Sequence, residues 1–397
     1  MGRSRAEPWL SIVGIGEDGR AGLSLASRAA LDRAEVVFGG ARHLALAEIA
    51  ARGQPWPVPF DAEPVLAYRG RPVVALASGD PFWFGAGSVL VSRVAPGEWI
   101  AYTAPSTFSH AAAALGWRLE DAVCLGLHAA PFERLIPVLS RGARVICLVR
   151  NGDAVAELCQ WLLKNGWGES VVTVLTALGG PAEKIDRFTV AAGCTSVAAA
   201  PVAVAIEAQG RLGLSRASGL ADDLFTHDGQ ITKRPMRALA LSALAPRRGE
   251  RLWDIGAGSG SISIEWALAG GFASAIEEKP ARVANIRVNA EAFGVAHLVQ
   301  VTQGASPAVL ADLPSPDAVF MGGGLTAQSF SEIWNLLPSG ARVVAHAVAL
   351  ETQALLTDLH HRHAGDLDRF EVSHAQPLGR MRSWQAARPI VQWTTRK

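Results

Sequence analysis

The sequence is poor in the residues that define several large classes of protein. Its 397 residues include four cysteines and two tyrosines, and 37 basic residues nearly balance 36 acidic ones. No C-x-x-C pair and no His/Cys spacing typical of a metal site is present. This pattern favours buried thiols in a reducing cytoplasm over disulfides or a bound metal. The near-neutral charge gives no support to bulk electrostatic binding of nucleic acid or membranes.

Segments that resemble membrane spans or signal peptides are also scarce. The uncharged stretch Phe188–Ile206 is mostly Ala, Val, Gly and Thr and contains Pro201, which favours a pair of buried strands over a membrane span. The basic start, residues 1–5, precedes a short apolar run that glycine and acidic residues interrupt, so we expect no signal peptide. The length, with 49% hydrophobic and 18% charged residues, indicates two or three packed domains.

The most informative segment is Leu252–Leu268, an apolar run followed by alternating glycines and then by apolar residues at helical spacing. It predicts a strand, a tight loop and a helix, the first unit of a βαβ fold. Gly256, Gly258 and Gly260 permit a sharp turn and the close approach of a ligand. The free N–H groups at the helix start favour an anionic ligand group, and Asp254 provides an acceptor for a cationic one.

The spacing of this loop distinguishes between two cofactors. A nicotinamide site uses G-x-G-x-x-G, whereas the order here is D-x-G-x-G-x-G and resembles the nucleotide loop of S-adenosylmethionine-dependent methyltransferases. The predicted strand Ala273–Glu277 ends in an acid placed to bind two ribose hydroxyls, with Glu278 as the alternative. A glycine-rich turn without a ligand is the competing explanation, but the glycine pattern, the strand–helix context and the downstream acid argue against it.

Strand and helix patterns alternate through the C-terminal half. We predict helices at 237–244, 280–293, 328–337 and 350–363, and strands at 298–303, 317–322, 341–348, 370–375 and 389–393. Thr232 is placed to cap the first of these helices, and Pro235 suits its first turn. This alternation predicts an α/β fold with a seven-stranded, doubly wound sheet. Gly210–Leu224 lacks periodicity, so we place the domain boundary there, between residues 212 and 213.

The N-terminal half carries glycine and proline turns at the ends of predicted strands. Ser11–Gly16 ends in G-x-G, Val73–Pro81 ends in S-G-D-P, and the strand Trp99–Thr103 precedes Pro105-Ser-Thr107. Asp80 is therefore expected at the carboxyl end of a strand, where open α/β sheets bind ligands. A simpler role for this side chain is to cap a turn.

These motifs resemble the tetrapyrrole methylase family, S-adenosylmethionine enzymes with two α/β subdomains and the cofactor in the cleft between them. Segments 37–44 (VFGGARHL), 125–128 (LGLH) and 179–185 (GGPAEKI) further resemble the branch that methylates precorrin-6Y or its cobalt form. The resemblance covers most of residues 8–210. The cofactor contacts that it implies are Gly14, Gly16, Gly79, Asp80, Pro81, Ser106 and Thr107. Ala129 and Ala130 stand where the family pattern has Gly-Arg, so an arginine for a substrate carboxylate is missing.

A second resemblance covers about residues 220–395. Residues 246–264, 317–323 and 377–381 resemble the precorrin-8w decarboxylase/methyltransferase family. Together with Asp254, the implied cofactor contacts are Thr232, Gly256, Ala257, Gly258, Ser259, Gly260, Glu277, Gly304 and Ala305. Ala305 stands where this family commonly has Asp, so only backbone remains there for the adenine. His346 stands where it commonly has Asn, facing the active cleft.

Together, the two resemblances imply a bifunctional enzyme of cobalamin biosynthesis with one S-adenosylmethionine per domain. Residues 1–212 would methylate precorrin-6Y at C5, and residues 213–397 would methylate C15 and decarboxylate the C12 acetate. Methyl transfer requires the nucleophile and methyl group to be held in line, without a covalent nucleophile or metal. Decarboxylation requires a proton donor, for which His346 and His227 are candidates. The candidates for binding substrate carboxylates are Lys233, Arg234, Arg237, Arg380 and Arg382. A solvated charged surface explains any one of them about equally well, but the matched segment favours substrate binding for Arg380 and Arg382.

Two other functions remain open. A nucleic-acid methyltransferase would require a basic face and, for base amino groups, an N-P-P-Y-like segment, where this chain has Met321–Gly324. A cofactor-sensing module with one inactive half would bind cofactor without turnover on a tetrapyrrole, which Ala129 and Ala305 keep open. Both resembled families usually self-associate. We therefore expect a cytoplasmic homo-oligomer that binds a small tetrapyrrole, without nucleic-acid or membrane partners.

Overall fold

The structure, a computed structural model, describes residues 8–49, 51–194 and 196–397. The chain divides into two compact units: residues up to Phe132 with Val138–Leu212, and Glu133–Pro137 with Gly213–Lys397. The basic start on which the signal-peptide expectation depends lies outside the described residues. Across the part of the chain that is described, none of the helices combines the length and apolarity needed to cross a membrane.

Within its described residues, the first unit contains two five-stranded sheets. Its strands are β1 (Leu10–Ile15), β2 (Val36–Gly39), β3 (Gly53–Pro55), β4 (Val73–Ser78), β5 (Trp99–Tyr102), β6 (Ala122–Gly126), β7 (Arg144–Leu148), β8 (Val171–Thr176), β9 (Lys184–Thr189) and β10 (Val202–Glu207). Its helices are α1 (Gly19–Gly22), α2 (Leu25–Arg33), α3 (Ala41–Leu46), α4 (Glu63–Leu66), α5 (Gly87–Val91), α6 (Thr107–Leu115) and α7 (Asp153–Lys164). Short 3-10 helices along the chain are Leu119–Asp121, Phe132–Leu135, Val190–Ala192 and Asp222–Leu224.

The first sheet is parallel, in the order β3-β2-β4-β1-β5. Its central strands are apolar on both faces because helices cover both faces. Leu31 of α2 packs with Ile15 on one face, whereas Leu90 of α5 packs with Ile12 on the other. The connections after β1 and after β4 therefore run over opposite faces. The carboxyl ends of these adjacent strands form a topological switch point, where open sheets bind ligands.

The second sheet of this unit is mixed, in the order β6-β7-β10-β8-β9, and only β6 and β7 are parallel. The uncharged segment 188–206 contains the end of β9 and most of β10. Strand β10 is buried as expected, but β9 is mostly exposed or half-buried. The expectation of two buried strands was therefore wrong for the first of them, which forms the edge of the sheet.

Among the described residues of the second unit, one seven-stranded sheet carries helices on both faces. Its strands are β11 (Arg251–Ile255), β12 (Phe272–Glu277), β13 (Val299–Gln303), β14 (Ala318–Met321), β15 (Arg342–Ala347), β16 (Asp366–Phe370) and β19 (Ile390–Arg396), and a separate hairpin consists of β17 (Ser373–Leu378) and β18 (Met381–Ala386). Its helices are α8 (Arg234–Leu244), α9 (Ser261–Leu268), α10 (Pro280–Ala292), α11 (Ala327–Leu336) and α12 (Leu350–His363).

The large sheet has the order β13-β12-β11-β14-β15-β19-β16, with β19 antiparallel to both neighbours. This confirms the predicted seven-stranded, doubly wound fold. Ile262 of α9 belongs to the core on one face, whereas Phe330 of α11 packs on the other. A second topological switch point therefore lies at the carboxyl ends of β11 and β14.

Two local predictions in this unit were wrong. Helix α8 begins at Arg234 rather than Arg237, and Lys233 occupies its N-cap without a side-chain hydrogen bond, so Thr232 does not cap it. Pro235 in the first turn explains the earlier start. The predicted strand 370–375 is replaced by the end of β16 and the start of the β17–β18 hairpin, whose residues are all exposed and so carry no buried face to recognise in the sequence.

Candidate functional site

A cavity of about 990 Å³ lies at the second switch point, outside the carboxyl ends of β11 and β14. It collects residues from widely separated segments of the second unit. The predicted cofactor residues that line it are Thr232, Gly256, Ala257, Gly258, Glu277, Gly304 and Ala305. The structure therefore brings most of the predicted C-terminal cofactor residues to one place.

The three glycines of the loop have different surroundings. Gly256 and Gly258 have φ of +68° and +60°, and an added Cβ would lie 3.6 Å and 3.5 Å from the nearest described atom. At Gly260 an added Cβ would lie 2.8 Å from Ile286 of α10. Gly256 and Gly258 thus leave room in the cavity, whereas Gly260 packs against α10, and neither Gly260 nor the buried Ser259 lines the cavity.

Glu277 is a fixed acceptor in the cavity wall. Its Oε2 accepts the Gly258 N–H at 2.9 Å, and its Oε1 accepts the Lys279 N–H at 3.0 Å. Its carboxylate is therefore oriented by backbone on both sides of the site. Glu278 also lines the cavity, but it is exposed.

The structure places Asp254 differently from the prediction. Its side chain is buried, and its Oδ2 accepts both the N–H (3.1 Å) and the Oγ–H (2.7 Å) of Ser263. Burial raises the pKa of Asp254 to about 6, opposed by the Ser263 hydrogen bonds and assisted by the charge of Glu277. Asp254 does not line the cavity. It therefore fixes the start of α9, and the expected contact with a cationic ligand group is corrected.

His346 lines the cavity with its Nε2 already engaged by a neighbouring side chain. It is buried opposite Gln392 in the β15–β19 ladder, and its Nε2 donates to Gln392 Oε1 at 2.8 Å. Burial lowers the pKa of His346, so the ring is neutral near pH 7 and its proton sits on Nε2. Nδ1 is then an acceptor. This arrangement argues against the predicted role of His346 as proton donor.

His227 does not line the cavity. Its Nδ1 accepts the Gly229 N–H at 3.0 Å, which makes it part of a local turn. The structure therefore does not bring the second candidate proton donor to the site. Over the described residues, no group of three or more His, Cys, Asp or Glu side chains is placed to hold a metal ion.

Of the predicted substrate-binding cations near α8, only Lys233 lines this cavity. Arg234 lines a separate cavity of about 240 Å³ formed with residues 213–221. Arg237 is completely buried and donates to Glu265 at 2.6 Å and to Asp222 at 3.0 Å. Arg237 is therefore a structural cation, because both of its anionic partners belong to the fold.

The hairpin arginines Arg380 and Arg382 do not line this cavity. Arg380 lies in the turn between β17 and β18, and Arg382 is paired with Pro377, close to that turn. Five or six strand residues span about 20 Å, so the tip projects well away from the hairpin base. The residues at the base that line the cavity are His374 and Arg388. Sequence analysis missed Arg388 because its position depends on a hairpin that the apolar pattern did not reveal.

In the first unit, the predicted glycines interlock the backbone at the first switch point. An added Cβ at Gly14 would overlap the carbonyl oxygen of Gly79 and lie 2.8 Å from the Ala104 nitrogen. The Gly79 N–H donates to the Ile15 carbonyl at 3.0 Å, and its own carbonyl accepts the Ala104 N–H at 3.3 Å. Gly14 and Gly79 are both buried. Their first role is therefore close packing of three strand ends.

The polar residues of these loops form local caps. Asp80 Oδ1 accepts the Phe82 N–H at 2.8 Å, and Ser106 caps α6 by accepting the Ser109 N–H at 3.1 Å. Gly16, Asp80 and Thr107 remain partly exposed at this edge of the sheet. The structure thus gathers the predicted N-terminal residues at one edge, with Asp80 in the turn-capping role that the sequence left open.

Comparison with known proteins decides the family. Residues 10–194 match the model of the tetrapyrrole (corrin/porphyrin) methylases, and residues 223–397 match that of the precorrin methyltransferase domain. A precorrin-6Y C(5,15)-methyltransferase [decarboxylating] from Sinorhizobium sp is 46% identical over 98% of this chain and 97% of its own length. The chain belongs to this family of methyltransferases.

A second curated relative agrees with this membership. The precorrin-6Y C(5,15)-methyltransferase [decarboxylating] of Mycobacterium tuberculosis is 37% identical over 97% of this chain and 99% of its own. The crystal structure of the C-terminal domain of precorrin-6Y C5,15-methyltransferase from Rhodobacter capsulatus is 53% identical, covering 46% of this chain and 100% of its own with a TM-score of 0.46. Membership of a methyltransferase family implies S-adenosylmethionine as the methyl donor.

Proposed function

We propose that this chain methylates precorrin-6Y at C5 and C15 and decarboxylates its C12 acetate, with the first unit acting at C5 and the second at C15 and C12. Family membership over almost the whole chain supports this activity. The single observation that best supports the activity proposed for the second unit is its cavity, which is lined by the glycine loop, Glu277 and His346. A volume of about 990 Å³ lies at the upper end of small-molecule sites, so it suits a cofactor with part of a large substrate.

In the second unit, Gly256, Gly258 and Glu277 would hold S-adenosylmethionine. The open space above the two glycines admits the ligand, and the fixed carboxylate of Glu277 accepts hydrogen bonds from ribose hydroxyls. When bound, the cofactor supplies an electrophilic methyl group on its sulfonium. The protein contributes position, because holding two reactants in line lowers the barrier by about 7–11 kcal/mol in well-oriented systems.

The remaining cavity residues suit the substrate. Lys233, Lys279 and Arg388 place cations around the cavity that pair with peripheral carboxylates of the tetrapyrrole. Met321 and Ile333 add apolar wall, which disfavours a buried carboxylate and so assists loss of CO2. The neutral His346 accepts a hydrogen bond through Nδ1 and orients the macrocycle, rather than providing the proton that replaces CO2.

In the first unit, the edge that contains Gly16, Asp80 and Thr107 would hold a second S-adenosylmethionine. Its position at a topological switch point supports this assignment. Gly14 and Gly79 act there through the backbone, since their close approach sets the shape of the edge. We therefore expect two cofactor sites per chain.

Calorimetry with S-adenosylhomocysteine on the full chain tests this count. We expect two molecules per wild-type chain and one for Glu277→Gln, whose neutral amide would disturb the second site alone. Methyl transfer from labelled cofactor to precorrin-6Y should occur at both C5 and C15, with loss of CO2. One bound molecule in the wild type, methylated RNA or DNA, or cofactor binding without turnover would contradict the proposal.

We further propose a cytoplasmic homo-oligomer without nucleic-acid or membrane partners. The four cysteines, all of them described, form no disulfide, which suits a reducing compartment. Leu378 and Met381, a cross-strand pair on the β17–β18 hairpin, are 64% and 77% exposed, and Trp384 is 75% exposed; large exposed apolar side chains of this kind commonly mark protein contacts. Sedimentation of the full chain should give more than one protomer, and Trp384→Ser should shift it towards monomer. A monomeric wild type would contradict self-association.

A further inference from the structure

A polar cluster lies at the carboxyl ends of β1 and β4 in the first unit, and the proposed cofactor contacts do not include it. Arg42 forms an ion pair with Glu17. From Nη2 it also contacts Ser78 Oγ at 3.0 Å and His43 Nε2 at 2.9 Å. His43 Nε2 and Ser78 Oγ are 2.7 Å apart. The loop after β1, the first turn of α3 and the end of β4 together form this cluster.

The cluster unites segments that the sequence singled out separately. Arg42 and His43 belong to segment 37–44, and Ser78 immediately precedes Gly79-Asp-Pro81. The third segment, residues 179–185, also reaches it, because an added Cβ at Gly180 would lie 2.5 Å from Glu17. Motifs up to about 140 residues apart in sequence therefore meet around one guanidinium.

The hydrogen bonds define which atoms donate. A guanidinium can only donate, so His43 Nε2 accepts from Arg42 and the ring is the neutral Nδ1–H tautomer. Burial, followed by the neighbouring charge of Arg42, lowers the pKa of His43 to about 4, which keeps the ring neutral near pH 7. His43 therefore adds no charge, and it holds the guanidinium by accepting a hydrogen bond.

Arg42 is a fixed and partly desolvated cation that a ligand can still reach. Its side chain is 36% exposed, and Ser78 is exposed beside it. Burial lowers the pKa of Arg42, which shows the cost of removing this charge from water. A substrate anion beside the guanidinium would add to the compensation that Glu17 already provides. A carboxylate suits this site because hydrogen bonds between a guanidinium and a carboxylate are charge-assisted.

We propose that Arg42 binds a peripheral carboxylate of the tetrapyrrole in the first unit, with His43 and Ser78 as the positioning residues. This inference depends on the C5 methylation proposed above and names part of its substrate site. Ser78 is adjacent to the Gly79-Asp-Pro81 turn, so the anchored carboxylate holds one edge of the macrocycle beside the proposed cofactor edge. Arg42 would also provide an arginine contact for the substrate in a chain that has Ala129 and Ala130 where the family pattern has Gly-Arg.

The test uses the full chain and measures C5 and C15 methylation of precorrin-6Y separately. Arg42→Gln should raise KM for C5 methylation by about 10- to 100-fold, the usual cost of losing hydrogen bonds to a charged group. Arg42→Lys should raise it less, because the charge remains but the planar fork is lost. Arg93→Gln is the matched control, since Arg93 also forms an ion pair in this unit, with Glu63 at 3.0 Å. It should leave KM unchanged.

The role of His43 is tested by a rescue. His43→Leu removes the acceptor and should raise KM for C5 methylation. In His43→Gln the amide oxygen accepts in its place, so KM should return most of the way to the wild-type value. C15 methylation and the affinity for S-adenosylhomocysteine should stay at wild-type values in all these variants. An unchanged KM in Arg42→Gln, or an equal loss of affinity for S-adenosylhomocysteine, would overturn the inference. A wild type that does not methylate C5 would instead refute the proposed function.

Discussion

The two units use glycine in opposite ways at equivalent places in their sheets. In the first unit, Gly14 and Gly79 bring strand ends so close that an added Cβ at Gly14 would overlap backbone. In the second unit, Gly256 and Gly258 face a cavity in which an added Cβ has ordinary room. Both pairs lie at a topological switch point. A glycine motif at a strand end therefore identifies a special backbone, but only packing decides whether the glycine makes space for a neighbour or for a ligand.

The largest predicted effect comes from adding a side chain at Gly14, where the strand ends of the first unit are closely packed. Gly14→Ala should destabilise the first unit by about 3 kcal/mol or more, because the methyl group can be accommodated only by moving backbone. Gly40→Ala is the control: its φ is −62°, and an added Cβ would lie 3.5 Å from His43, an ordinary contact. Urea unfolding of the full chain should show an early transition only for Gly14→Ala. Equal stability of the two variants would refute the packing role.

Asp254, which precedes the glycine loop of the second unit, should make the free energy of unfolding depend on pH. Asp254 has a folded pKa of about 6 against an ordinary value of 3.8, so its contribution to stability is full below about pH 4 and is lost as the pH rises through 6. Two units of pKa correspond to about 3 kcal/mol. Asp254→Asn should therefore flatten the fall in unfolding free energy between pH 4 and pH 8.

Ser263→Ala should act in the opposite direction. It removes a hydroxyl donor that stabilises the charged carboxylate, so the pKa of Asp254 should rise further and the loss of stability should extend to higher pH. Urea unfolding at several pH values measures both variants. Asp254→Asn should also keep its affinity for S-adenosylhomocysteine. A loss of that affinity would instead support the direct contact between Asp254 and the ligand that the sequence predicted.

Substitution of Gly258, which lines the cavity of the second unit, should weaken ligand binding more than it destabilises the fold. Gly258→Ala places a methyl group in the cavity at φ +60°, and we expect an affinity for S-adenosylhomocysteine about 10- to 100-fold lower at the second site. The strained backbone should cost about 1–2 kcal/mol of stability. Gly249→Ala has the same backbone cost at φ +84°, but no described atom lies within 4 Å of its added Cβ. Similar calorimetric affinities of the two variants would contradict the ligand role of Gly258.

Local sequence patterns predicted most of the second unit. Helix α12 begins and ends at the predicted residues, 350 and 363, and β13 differs by one residue, because buried faces recur with helical or strand periodicity. The meeting of Gly256, Gly258 and Glu277 at one cavity was predicted for a related reason, since a strand–loop–helix motif and the strand after it place them within one local unit. Features that depend on short-range spacing were thus accessible from sequence.

The parts that sequence did not predict depend on packing or long-range pairing. The inward direction of Asp254 follows from its contact with Ser263 on the next helix. The cluster of Arg42 and Ser78 joins positions 36 residues apart, and no periodic pattern reports that meeting. The hairpin escaped prediction because it is exposed on both faces. In each case the identity of the residue was visible but its partner was not.

The smallest predicted effect separates the proposed substrate contacts of the two units. Arg388 lines the second cavity, whereas Arg380 lies at the far end of the same exposed hairpin. Arg388→Gln should raise KM for C15 methylation by about tenfold, since an exposed cation pairs more weakly than a buried one. Arg380→Gln, which changes charge equally, should leave it unchanged. C5 methylation should be unaffected in both, in contrast to Arg42→Gln. If Arg388→Gln impaired both methylations equally, the two units would share a substrate contact, and the assignment of one anchor to each would fail.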